Sequence, residues 1–127
     1  MAFKYTKKVI EHFTKPKNTG EIKNPDAKAT EGSPACGDML TFTLKVDSKT
    51  KKITEIKFKS YGCASNIATA SVLTTLVKGK TIEQAKKIKH EDVTNKLGEL
   101  PQVKIHCSIL AVETLKAAIK DYEDKHK

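Results

Sequence analysis

Arginine and tryptophan are both absent from this chain of 127 residues, so all 24 of its basic side chains are lysines. Sequence readout of nucleic acids favours arginine forks, and binding of single strands favours aromatic platforms. Because aromatic residues make up only 6% of the sequence, a nucleic-acid partner is not expected despite the formal charge of +9. The lysines are spread along the chain, which fits acidic protein partners or simply a solvated surface.

Long apolar runs and paired cysteines are also lacking. No apolar stretch approaches the ~20 residues of a membrane span, and the start of the chain has neither a secretory signal nor the arginine of a transit peptide. The three cysteines form an odd set without a CxxC pair, which argues against disulfides and against a closed zinc knuckle. We predict a cytoplasmic protein without a membrane partner, built as a single domain over residues 1–127.

Alternation of apolar and polar residues predicts a small sheet. Residues 40–46 and 56–58 alternate in this way, which indicates two half-buried strands, and the polar stretch 47–52 joins them as a hairpin. A weaker run at 27–31 adds a third strand. The three strands are expected to show one face to helices.

Helical spacing predicts the other elements. The opening helix would bury Tyr5, Val9, Ile10 and Phe13. A second helix should run from Ala64 to a cap at Gly79, and two short helices should begin near residues 82 and 90. The terminal helix would bury a stripe at Ile109, Val112, Leu115, Ile119 and Tyr122. The predicted fold is α+β: a small antiparallel three-stranded sheet with helices packed on one face and a long C-terminal helix.

Five residues in three separate segments carry side chains that bind metals. The first segment holds Cys36 and Asp38 on either side of a glycine, the second holds Cys63, and the third holds His106 followed by Cys107. Thiolate, imidazole and carboxylate groups hold zinc or iron-sulfur clusters. Because the segments are far apart in sequence, only the folded chain could assemble them, and the lack of paired knuckles favours a site that releases its metal. Buried structural cysteines are the alternative.

Two of the thiols, Cys63 and Cys107, are predicted at helix N-termini. The macrodipole and the unpaired N–H groups there favour anions, which lowers the pKa of a thiol below its free value of roughly 8.5. Such a cysteine is prepared as a nucleophile or as a ligand.

Short motifs extend this pattern along almost the whole chain. They include PKN at 16–18, GSPACGD at 32–38, YGC at 61–63, VKGKT at 77–81, LPQVK at 100–104 and HCS at 106–108. In this order they resemble the IscU/NifU N-terminal family, the scaffold proteins of iron-sulfur cluster assembly.

The resemblance implies a scaffold and not an enzyme. Such a protein accepts persulfide sulfur from a cysteine desulfurase, binds iron, takes electrons from a ferredoxin-type donor, builds a labile 2Fe-2S cluster and passes it to recipient apoproteins. It also implies Cys36, Cys63 and Cys107 as cluster ligands, with Cys107 as the persulfide acceptor. Asp38 matches the carboxylate that keeps the cluster labile, and His106 matches the candidate fourth ligand. Between these two we favour Asp38, because the flexible glycine beside it extends its reach.

Two departures from the family refine the expectation. Gln102 stands where members served by a dedicated Hsp70-type chaperone carry a second proline, which predicts weak chaperone binding. His106 and the absence of an insertion favour the IscU branch over the zinc-dependent SufU branch, and the chain stops near Lys127 without the further domains of full-length NifU. Tyr5 matches a tyrosine implicated in self-association, so a homodimer that couples two clusters into 4Fe-4S is one hypothesis, and packing of the first helix is the other.

Two further functions compete with the scaffold. One is a zinc-dependent sulfurtransferase that moves sulfur without forming a cluster, and the other is an interaction domain stabilised by a closed zinc site. Zinc prefers the same ligands, so we expect it to replace iron in purified samples.

Overall fold

The computed structural model of the chain describes residues 7–33, 38–61, 64–98 and 105–125, which form three strands and five helices. The strands β1 (Ala27–Ser33), β2 (Asp38–Val46) and β3 (Ile53–Tyr61) pair antiparallel in the order β1-β2-β3. The helices are α1 (Lys7–Thr14), α2 (Ala64–Val77), α3 (Ile82–Lys86), α4 (His90–Lys96) and α5 (Ile105–Lys125). The predicted α+β fold is confirmed. Within the described ranges, no helix is both long enough and apolar enough to cross a membrane.

One face of the sheet builds the core. The alternation in β2 leaves Leu40, Phe42 and Leu44 at 0% exposure. Phe58 of β3 lies opposite Phe42, and the two rings meet edge to face with their centroids 6.5 Å apart, an arrangement that aromatic pairs prefer. α5 packs on β1 and β2, and α2 packs on β3. The helices therefore cover this face, as predicted.

The two predicted chain reversals are confirmed. In the hairpin between β2 and β3, the Asp47 N–H donates to Lys52 O at 2.9 Å, and Lys51 adopts a left-handed φ of 62°. After α2, Gly79 has a φ of 87°, and its N–H donates to Ile53 O at 2.8 Å. Glycine suits such a position because it lacks the Cβ atom that clashes there.

The opposite face of the sheet is more covered than its alternation predicts. Thr43 lies on this face yet is only 1% exposed, because the chain between α1 and β1 crosses it. Ile22 in that segment is 6% exposed and donates its N–H to Thr43 Oγ1 at 3.0 Å. The same segment runs along β3, where the Gly20 N–H donates to Phe58 O at 2.8 Å. It thereby covers an edge that would otherwise be free to pair with another chain.

Burial along two helices differs from the prediction. In α1, Val9 is buried as expected, but Ile10 is 50% exposed and Phe13 is 43% exposed. In α5, Leu115 is buried, whereas Ile109 is 39% exposed. The predicted burial of Ile10, Phe13 and Ile109 is therefore wrong. The reason is geometric: α1 packs chiefly on α2, so only a narrow stripe of its surface meets a neighbour.

Polar contacts attach α1 to α2. Ser71 Oγ lies 2.7 Å from His12 Nδ1 and accepts the Lys17 N–H at 2.8 Å. Asn18 Nδ2 donates to Thr74 Oγ1 at 3.0 Å. Partial burial lowers the pKa of His12 below its ordinary value, since the protonated ring loses solvation.

We expect the protein to lose stability as the pH falls through the ordinary histidine pKa of about 6.5. Because burial lowers the pKa of His12, the folded state binds fewer protons than the unfolded state in this interval, and the loss levels off below the lowered pKa. Urea unfolding midpoints from about pH 8 to about pH 5 measure the effect. The midpoint of the wild type should fall further than that of His12→Gln, and parallel curves for the two proteins would contradict the prediction.

Candidate metal centre

The ends of all three strands meet at one end of the sheet. Ser33, the last residue of β1, pairs with Asp38, the first residue of β2. The next residue of β2, Met39, pairs with Tyr61, the last residue of β3. Paired Cα atoms of antiparallel strands lie about 4.5–5.5 Å apart. These four residues therefore form a compact edge from which the chain leaves the sheet.

Two of the predicted ligand segments are connected to this edge. Residues 34–37, which include Cys36, join β1 to β2, and residues 62–63, which include Cys63, join β3 to α2. In sequence, Cys36 is two residues from Asp38, the start of β2, and Cys63 is two residues from Tyr61, the end of β3.

Asn66 fixes the first turn of α2 to this end. Its side chain is fully buried, and Nδ2 donates to Met39 O at 3.3 Å and to Ser60 Oγ at 2.8 Å. One amide therefore contacts both β2 and β3. Its Oδ1 is also buried and has no hydrogen-bond partner within the described ranges.

The third predicted segment lies in the first turn of α5, which begins at Ile105. Cys107 is fully buried, and its carbonyl oxygen accepts a hydrogen bond from Thr69 Oγ1 of α2 at 3.4 Å. Ser108 is also buried, with its Oγ 3.0 Å from Thr94 Oγ1 of α4. Thr69 lies in the second turn of α2, about 7.5 Å along the helix axis from its start. The fold thus places the start of α5 near the start of α2, as the sequence prediction requires.

The structure describes only one of the five predicted ligand side chains, that of Cys107. Cys36 and Cys63 lie outside the described residues, and only the backbone is described for Asp38 and His106. Asp38 begins β2, although the sequence pattern indicated a loop, and His106 is the second residue of α5. Within the described ranges, no group of three or more His, Cys, Asp or Glu side chains could hold a metal ion. The ligand set therefore stays a prediction.

Two polar residues, Asn66 and Thr69, support this region without belonging to any motif of the sequence. A signal for both exists, because α2 contains no charged residue in its 14 positions. Polar side chains inside such a buried helix require partners. The partners are 27 and 38 positions away along the chain, and local sequence does not identify contacts at that separation.

A shallow cleft of about 300 Å³ borders the same end of the sheet. It is lined by Pro16, Thr19, Gly20, Phe58, Lys59, Ser60, Tyr61 and Ile67. Tyr61, next to the segment that carries Cys63, is 71% exposed. A larger cavity of about 800 Å³ lies beside Lys51 and Tyr122, away from the strand ends. Cavity size therefore does not mark the predicted site.

Relatives of known name match nearly the whole chain. The family described as NifU-like N terminal domain matches residues 4–127, a range that includes all three predicted ligand segments. The chain is 45% identical over 122 residues to the iron-sulfur cluster assembly scaffold protein IscU of Aquifex aeolicus, and the match covers 96% of this chain and 78% of that protein. It is 45% identical over 126 residues to the protein of the same name from Escherichia coli, with 97% of both chains covered.

Solved structures share the fold. A nitrogen-fixing NifU-like protein (N-terminal) from Brucella abortus superposes with a TM-score of 0.71 at 22% identity, and the match covers 94% of each chain. A putative iron-sulfur cluster assembly scaffold protein for the SUF system from Fervidobacterium islandicum gives a TM-score of 0.69 at 23% identity, covering 91% of this chain and 96% of that one. At these identities the likeness concerns the fold alone.

Proposed function

Because the chain belongs to the NifU-like N-terminal domain family, we propose that it is a scaffold on which an iron-sulfur cluster is assembled before transfer to other proteins. The observation that supports this most directly is its 45–48% identity, over 96–97% of the chain, to relatives named iron-sulfur cluster assembly scaffold protein IscU. In this role the cluster is cargo. The chain holds and releases it and is not an enzyme with turnover chemistry of its own.

The proposed ligands of a 2Fe-2S cluster are Cys36, Cys63 and Cys107. The meeting of the strand ends with the starts of α2 and α5 supports this set, because the segments with Cys36 and Cys63 are connected in sequence to those strand ends and Cys107 lies in the first turn of α5. We favour Asp38 over His106 as the fourth ligand. A carboxylate binds iron less tightly than a thiolate, so one corner of the cluster would be held weakly enough for delivery.

Sulfur is proposed to arrive as the persulfide of a cysteine desulfurase. The Cys107 thiolate attacks the outer sulfur, a new S–S bond forms, the original S–S bond breaks, and the desulfurase cysteine leaves as a thiolate. Cys107 is fully buried, so this step requires movement of the chain that covers it. Reduction of the transferred sulfur to sulfide then takes two electrons, which a ferredoxin-type donor would supply.

Several parts of the proposal rest on the sequence and the family. They are recipient apo iron-sulfur proteins as acceptors, a cytoplasmic setting, a single domain over residues 1–127, and a homodimer through Tyr5. Tyr5, Gln102 and Lys127 lie outside the described residues.

Anaerobic reconstitution tests the proposed function. The whole chain is incubated with ferrous iron, cysteine, a desulfurase and a reductant, and is then assayed for visible absorption, bound iron and acid-labile sulfide. A brown product with equal amounts of iron and sulfide supports the scaffold. Persulfide on the protein without bound iron would instead show a zinc-dependent sulfurtransferase. A protein that keeps zinc and takes up neither iron nor sulfur would show an interaction domain.

The fourth ligand can be identified on the reduced cluster by nitrogen hyperfine spectroscopy. We expect no strong coupling from a directly bound histidine, because Asp38 is the favoured ligand. His106→Ala is the control. A strong coupling in the wild type that disappears in this variant would overturn the assignment to Asp38.

Binding of an Hsp70-type chaperone is expected to be weak, because Gln102 interrupts the motif LPQVK at 100–104. Gln102→Pro should strengthen binding, since proline restricts the segment to an extended conformation before it binds. Gln102→Ala, which removes the glutamine side chain without adding a proline, provides the comparison. Titration of the three proteins tests this, and tight binding of the wild type would contradict it.

A further inference from the structure

Asn66 joins three elements at the end of the sheet to which the predicted ligand segments 34–37 and 62–63 are connected. From α2, its Nδ2 donates to Met39 O in β2 and to Ser60 Oγ in β3. Met39 directly follows Asp38, and Cys63 precedes Asn66 by three residues. One buried amide therefore fixes the spacing between the chain segments that carry the first two groups of predicted ligands.

The orientation of this amide follows from hydrogen-bond chemistry. Met39 O is a carbonyl oxygen and can only accept, so the amide must face it with Nδ2. Oδ1 then lies on the other branch of the group, where it is buried without a partner within the described ranges.

Two roles are open to Asn66: stabilising the fold alone, or holding the ligand segments at a fixed spacing. Measurements of metal affinity distinguish these two roles. A residue that only stabilises the fold leaves the metal affinity unchanged once the variant is folded. Replacing a residue that holds the ligand segments at their spacing lowers the metal affinity. Without that residue, the segments have to be ordered when the metal binds, and this ordering costs free energy.

We propose that Asn66 is a positioning residue for the metal site, which holds the first two ligand segments at the spacing a metal requires before the metal binds. This rests on the proposed ligand set but not on cluster assembly, since any cation that binds thiolates reports it. Outer partners that orient metal ligands typically change metal affinity 10–100-fold when they are replaced.

The test measures Zn²⁺ and Co²⁺ binding to the whole metal-free chain, by competition with a chromophoric chelator and by the visible bands of Co²⁺. Asn66→Leu keeps a side chain of similar size but removes the amide donor, while Asn66→Ala removes both the donor and most of the side-chain volume. We expect both variants to bind about tenfold more weakly or worse, with altered Co²⁺ bands. Thr114→Val is the matched control, because Thr114 is buried in α5 and bonds only Leu110 O of its own helix among the contacts described.

Circular dichroism identifies the conditions under which each variant is folded, and metal binding is compared under those conditions. Should neither Asn66 variant fold, Ser60→Ala removes one acceptor of Nδ2 and is expected to weaken binding by a smaller factor. Wild-type affinity and Co²⁺ bands in folded Asn66→Leu would overturn the proposal, as would unchanged affinity in Ser60→Ala or an equal loss in Thr114→Val. A wild type that binds neither cation would overturn it as well. Zn²⁺ binding without cluster formation in the reconstitution would instead count against the proposed function alone.

Discussion

Serine in place of any one of Cys36, Cys63 and Cys107 is expected to abolish stable cluster assembly while leaving the fold largely intact. A serine oxygen replaces the thiolate that iron binds, whereas the core lies on the helix-covered face of the sheet. Anaerobic reconstitution followed by iron and sulfide assays measures the loss, and circular dichroism measures the fold. A serine variant that assembled and kept a cluster like the wild type would remove that cysteine from the ligand set.

Cys107→Ser needs its own control because Cys107 is fully buried. A hydroxyl buried there without a full set of partners costs about 1–3 kcal/mol of stability. Ala111→Ser places a hydroxyl at a buried position one turn further along α5 and keeps the thiol. We expect this control to lose stability and still assemble a cluster. Equal failure of both variants would attribute the effect to the helix and not to the ligand.

The second large effect is expected from Asp38→Ala, which should lengthen the lifetime of the cluster and slow its transfer. The variant removes a weak oxygen donor and a charge that attracts water to the edge of the cluster. Decay of the visible absorption, with and without a recipient apoprotein, measures both quantities. Glu31→Ala removes an exposed carboxylate from the neighbouring strand β1 and should change neither. Faster decay in Asp38→Ala with unchanged transfer would show that the carboxylate only stabilises the cluster.

Local periodicity was sufficient to predict the strands, the hairpin and the order of the helices. Each of these depends on residues close in sequence, such as the alternating side chains of β2. Burial on the second face of the sheet was not predictable in this way. Thr43 is covered by Ile22, and the two are 21 positions apart. The predicted burial of Ile10 and Ile109 was wrong for a related reason. A helical stripe of apolar residues shows which side chains face the same way, but not how wide the neighbouring surface is that covers them.

The candidate site also combines features that local sequence predicts with contacts between distant residues that it does not predict. Its ligand types were predicted from the sequence, because cysteine, histidine and aspartate carry their chemistry in any fold, and the predicted place of Cys107 at the start of the terminal helix is confirmed. The residues that hold those element ends together were not readable. Asn66 and Thr69 are ordinary polar residues in a helix, and their importance arises only from contacts with β2, β3 and α5.

The uncharged helix α2 has one further consequence, which concerns its rotation about its own axis. Asn66 bonds the sheet, Thr69 bonds α5, and Ser71 and Thr74 bond the chain at and beyond α1. A rotation by one position, about 100°, would break all of these bonds together. The surrounding alanine, valine and leucine side chains would lose far less, because apolar residues of similar volume exchange at modest cost. The amide and the three hydroxyls therefore select a single angle at which the helix docks. A helix of equal hydropathy with alanine at these four positions would bury comparable apolar surface in several interchangeable orientations.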